Sequence, residues 1–125
     1  SNVKSAVGKI RMILMRLLED GLKYIHLTNQ ILFSSFNNEY LSDTHLKYKE
    51  VWSNLVSEGQ ATGEITDKYS NKHISILIRG CYYGVLFKCF ETGDISTALE
   101  DLEKSMDLLF SGIAGENGAN QSASQ

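Results

Sequence analysis

Two thiols and three imidazoles are the side chains of this sequence best suited to nucleophilic or metal chemistry, and their spacing argues against both. Cys81 and Cys89 lie two turns apart on one predicted helix, about 12 Å along its axis at ~1.5 Å per residue, too far to bridge each other. They read as small buried hydrophobes in a reduced, cytoplasmic setting. His26, His45 and His73 stand alone. None has a carboxylate or second imidazole three or four residues away, as a ligand pair on a helix face would need, and no Glu-x-x-His occurs. No metal or other cofactor is expected, and His73, in the first turn of its helix, is the one placed to lend pH sensitivity. The sequence has no Gly-x-Ser-x-Gly, phosphate loop or Cys-x-x-Cys, so no enzyme activity is expected. The triplet Asn120-Gln121-Ser122 matches a glycosylation acceptor, a chance match in a cytoplasmic chain.

The elements that carry these residues are helical. A chain of 125 residues with 42% hydrophobic side chains fits one domain with a real core, and the complete lack of proline leaves long helices unbroken. A net charge of −3 with scattered Lys and Arg argues against nucleic-acid binding by this surface. No run approaches the ~20 apolar residues of a membrane span, and no signal-peptide pattern is present.

Val3, Val7, Ile10, Leu14, Leu17 and Leu18 share one face of a first helix from Val3 to about Asp20, with Gly21 as its expected break. Met12 and Met15 sit off that face, so this helix is expected to be central or to line a cavity. A second stripe from Leu22 to Phe36 ends at Asn37-Asn38. Ser42 or Asp43 caps a third helix with Tyr48, Val51, Trp52, Leu55 and Val56 on its apolar side, stopping near Gly59. Gly59 to Thr66, GQATGEIT, reads as a connector. Ser70 caps a fourth helix that ends at Gly93, and Asp94 or Ser96 starts a fifth, with Ile95, Ala98, Leu99, Leu102, Met106, Leu109, Phe110 and Ile113 on one face. Residues 3–113 form the expected helical domain, and 114–125 a flexible tail with almost nothing to bury.

The fourth helix carries two stripes. At about 100° per residue Ile74, Leu77, Ile78, Cys81 and Val85 share one side, and Ile76, Gly80, Tyr83, Gly84 and Phe87 the other. One side can face the protomer's core. The other needs a cover, and in so short a chain a second copy of the same helix is the natural one. Gly80 and Gly84 permit close helix approach.

The connector GQATGEIT, the helix with small residues at Gly80 and Gly84, then Gly93-Asp94 and a last helix ending LLFSGI together resemble the C-terminal half of TetR-type transcriptional repressors. The similarity covers most of Val3 to Ile113. It implies an all-α bundle of about five helices, the last two forming a four-helix dimer interface with the partner subunit. It also implies a homodimer that binds a small effector and reaches operator DNA only through an N-terminal helix-turn-helix. Nothing upstream of Val3 has that pattern, so the chain is expected to be the regulatory part alone.

On this reading the interface comprises Ile76, Gly80, Tyr83, Gly84, Phe87, Leu99, Leu102, Met106 and Leu109. An apolar or aromatic effector would meet Met12, Met15, Tyr24, Tyr48, Trp52 and Tyr82, with Leu77 and Cys81 on the adjoining wall. The same residues are what any helical core packs. A stand-alone module whose open stripe docks another protein's helix is the alternative.

Overall fold

The computed structural model of the chain describes residues 5–25 and 39–116, the side chains of 39–48 excepted. Among them are four α-helices: α1 (Ala6–Lys23), α2 (Glu39–Thr62), α3 (Asn71–Thr92) and α4 (Ala98–Gly112). The domain is all-α. The expected helix from Leu22 to Phe36 lies outside the described residues from His26 onward, and its first two positions continue α1.

Amphipathic patterning sets the packing. Ala6, Ile10, Leu14 and Leu18 recur at helical spacing and are the buried face of α1. Ala98, Leu102, Met106 and Phe110 repeat every four residues and are that of α4. Trp52 and Val56 from α2, with Ile74, Ile78, Val85, Leu86 and Cys89 from α3, complete one continuous core. Helix α1 packs on α2 and α4, and α3 packs on the same two, so the helices close a cycle around that core.

Several boundaries differ from the sequence expectation, each for a local reason. Helix α1 runs through Gly21 to Lys23, because one glycine in a well-packed helix costs only ~1 kcal/mol. Helix α2 starts at Glu39, ahead of Ser42 and Asp43, and continues through Gly59 to Thr62. Its stop is Gly63, whose φ of 81° suits glycine. Gly59 is small for another reason, since the Ile65 side chain folds back onto it and a Cβ there would stand 2.6 Å from Ile65 Cδ1.

Ser70 caps α3 as expected, accepting from the His73 backbone N–H, and Gly93 ends it at φ 69°. Asp94 does not begin α4 but turns the chain toward it, its carboxylate accepting from Ser96 N–H at 2.9 Å. The cap position falls to Thr97, which leaves Ile95 outside the helix and exposed.

The expected tail is tied down at its start. Ile65 and Ala114 pair as an isolated bridge, Thr66 N–H donates to Ile113 O at 2.8 Å, and Gly115 N–H donates to Glu64 O at 3.0 Å. Ile113 is buried, so ordered structure passes the end of α4 and reaches Glu116.

Candidate functional site

The feature that the core does not account for is the outer face of α3 and α4. Ile76, Leu77 and Phe87 are 51%, 52% and 53% exposed, and Leu108 on α4 is 78% exposed. Between Ile76 and Leu77 on one side and Leu108 on the other runs an open groove of about 710 Å³, with Phe87 outside its lining. Its α3 wall includes Leu77, Gly80 and Gly84, and its α4 wall Lys104, Ser105 and Leu108. A Cβ placed on Gly80 or Gly84 would meet nothing within 4 Å, so the backbone of α3 lies bare along the middle of this face.

The two-stripe reading of α3 holds in outline and shifts in detail. Ile74, Ile78 and Val85 are buried, but Leu77 is on the open side and Cys81 only half-buried; Leu86 and Cys89 take their places. Leu77 precedes Ile78 by one residue, about 100° of rotation, which moves it off the core. Tyr83 is half-buried, its ring edge-on to Tyr82 at 5.6 Å between centroids.

The residues named for an interface therefore divide. Ile76, Gly80, Gly84, Phe87 and Leu99 are exposed, while Tyr83 and Leu109 lie at the margin. Leu102 and Met106 are corrected to the protomer's own core, where they present no surface to a partner. Their every-fourth-residue run with Ala98 and Phe110 puts them under α4, not on its outer side.

The residues named for an effector pocket do not converge. Trp52 is buried in the core, Met15 and Tyr82 pack against that core from its margin, and Met12 is half-buried. Tyr24 is 66% exposed at the C-terminal end of α1. The side chain of Tyr48, with His26 and His45, lies outside those described. Leu77 and Cys81 line the open groove, not an enclosed cavity.

The thiols carry no activating environment. Burial pushes the Cys81 thiol above its ordinary value, and its Sγ lies 4.0 Å from the Ser105 carbonyl oxygen. Burial is also the main influence raising Cys89. Among the described residues no group of three His, Cys, Asp or Glu side chains stands ready to hold a metal ion. No described helix is long and apolar enough to cross a membrane.

One end of the face is fixed by charge. Lys88 on α3 donates to Asp101 on α4 and to Oγ1 of Thr97 at its cap, the latter at 3.2 Å, which links the two helices beside the groove. Comparison with family models, with curated proteins and with solved structures finds no match to this chain. Function is therefore read from the face itself.

The sequence did not single out Leu108 or Glu64. Leu108 lies about 140° round α4 from the centre of the stripe of Ala98, Leu102, Met106 and Phe110, so its exposure follows from the same periodicity. Glu64 lies in a polar connector with no local pattern, yet it is buried and its carboxylate is fully engaged.

Proposed function

We propose that this chain is the dimerising, effector-sensing domain of a TetR-like transcriptional regulator, joining a second copy of itself through the outer face of α3 and α4. The observation that carries the reading is the apolar face left open on α3: Ile76, Leu77 and Phe87 stand half-exposed around a bare glycine backbone. An isolated protomer gains nothing from that arrangement, whereas two such faces laid together would remove it from water. The effector, a small apolar or aromatic molecule, would favour one packing of α1 against the other helices. An upstream DNA-binding domain would then read the shift through α1.

Sedimentation of the wild-type chain and of Phe87→Glu tests this. The expected outcome is a dimer at micromolar concentration that the substitution converts to a folded monomer. A wild-type monomer under those conditions would overturn the reading.

The open shape of the groove favours a second reading, in which the same face docks an amphipathic helix of another protein. A wild-type monomer that nevertheless loses a binding partner on Phe87→Glu substitution would support it.

A further inference from the structure

The exposed side of α3 carries a pattern more specific than a patch. His73, Leu77, Gly80, Gly84, Phe87 and Glu91 are all exposed and follow one another at steps of four, three, four, three and four residues. That is the spacing of a heptad seam, the stripe one helix presents to another at a shallow crossing angle. The seam lies nearly opposite the core residues Ile74, Ile78, Val85 and Cys89 on the same helix.

The seam is also palindromic about Tyr82. His73 and Glu91 lie equally far from that centre, as do Leu77 and Phe87, and as do Gly80 and Gly84. A helix with this symmetry is complementary to an antiparallel copy of itself. The two glycines would meet at the two-fold axis, where absent side chains let the backbones approach. Each Leu77 would face a Phe87, and each His73 a Glu91, of the other copy.

Charge selects this direction over a parallel one. Parallel pairing would set the two Glu91 carboxylates side by side, whereas antiparallel pairing gives each an imidazole. His73 is already oriented in the protomer, with Nδ1 2.7 Å from Ser70 Oγ. Where Nδ1 accepts the hydroxyl proton, Nε2 carries the ring proton and donates outward.

We infer that the occupant of this face is a second α3 running antiparallel, centred on Gly80 and Gly84, with two symmetric His73 to Glu91 contacts at its ends. The inference rests on the dimer reading above and adds its register. The contact would span about 27 Å, from His73 to Glu91 at ~1.5 Å per residue.

Crosslinking tests the register. His73→Cys and Glu91→Cys variants, each also carrying Cys81→Ser, are mixed, treated with a short bismaleimide and mapped by mass spectrometry. The expected product joins position 73 of one chain to position 91 of the other and forms only in the mixture. Products within a single variant, 73 to 73 or 91 to 91, would overturn the antiparallel register. So would a dimer by sedimentation with no crosslink at either position. A monomer by sedimentation would instead overturn the parent reading.

Charge exchange is the second arm. His73→Glu is expected to raise the dimer dissociation constant about fivefold or more at low salt, and His73→Glu with Glu91→Lys to restore it. Both substitutions suit the helix dipole of α3, acid near its N-terminus and base near its C-terminus, so lost folding would not explain the weakening. Failure of the double variant to recover would overturn the His73 to Glu91 contact.

Discussion

The carboxylate of Glu64 caps the first turn of α1 from 58 residues away, accepting from the Ala6 backbone N–H at 3.2 Å. Its other oxygen accepts from Val7 N–H at 3.4 Å, and Thr62 Oγ1 donates to the carboxylate at 2.8 Å. Ser5 supplies the next acceptor, its hydroxyl oxygen taking Gly8 N–H at 3.0 Å, and its carbonyl takes Lys9 N–H at 3.0 Å. The free donors of the first turn are thus satisfied by a local cap and a remote one together. A negative charge at a helix N-terminus adds a favourable dipole interaction.

Replacing Glu64 with Ala leaves these amide groups without their acceptor in a buried setting, where each lost partner costs about 1–3 kcal/mol. Glu64→Ala is expected to lower stability by about 2 kcal/mol, read as a shift in urea midpoint at unchanged slope. Glu64→Gln keeps one acceptor oxygen and should lose less. Equal loss in both variants would show that the charge and second acceptor oxygen, which Gln lacks, and not side-chain packing, are the residue's contribution.

Local chemistry explains what was legible beforehand. Ser70 and Gly93 delimit α3 because a hydroxyl cap and a left-handed glycine act within one turn of sequence, and both sit where the pattern put them. Gly59 and Gly63 look alike as sequence but differ in structure. Only Gly63 has a positive φ, while Gly59 is small because Ile65 returns onto it. That return is a tertiary event, invisible to periodicity. The α3 face was readable as two stripes, but Leu77 lies about 100° round the helix from Ile78, and its exposure places it on the open side. No local pattern marks Glu64 as a cap, because the amides it caps, Ala6 and Val7 N–H, lie far along the chain.

The Lys88 to Asp101 pair predicts an acid response. Hydrogen bonding from Lys88 first, then from Thr97, holds the Asp101 carboxyl below its ordinary value of 3.8. A depressed carboxyl contributes stability that is present above 3.8 and lost as pH falls through the lower folded value. Asp101→Asn should therefore show a flatter dependence of urea midpoint on pH below 3.8 than wild type. Lys88 is exposed and the Asp101 side chain is about one third exposed, so added salt should shrink the difference. A difference that persists at high salt would count against a screened surface pair as its origin.

Substitution of Gly59 sets helix propensity against space. Ala is favoured over Gly in a helix interior by up to ~1 kcal/mol. Here the new Cβ would press on Ile65 at 2.6 Å and 2.9 Å from two of its atoms. Ile65 has little freedom to yield, being buried, donating to Gly59 O and paired with Ala114. Overpacking of this kind costs about 1–3 kcal/mol, so Gly59→Ala is expected to destabilise by about 1 kcal/mol in chemical denaturation. A stabilised Gly59→Ala would mean that the connector repacks freely.

Gly84 provides the opposite case, and it separates folding from association. A Cβ there meets nothing within 4 Å of the protomer, so Gly84→Ala should stabilise the isolated chain by up to ~1 kcal/mol through helix propensity. The bare backbone at Gly80 and Gly84 is also where two antiparallel α3 helices would approach most closely, and an added methyl would hold them apart. The dimer dissociation constant should then rise about tenfold, the equivalent of ~1.4 kcal/mol. Denaturation at low protein concentration gives the first quantity and sedimentation equilibrium the second. Opposite signs in the two measurements are expected only if Gly84 serves the contact between copies. A variant more stable in both would assign the glycine no part in association, and one less stable in denaturation would show that the protomer itself needs the space.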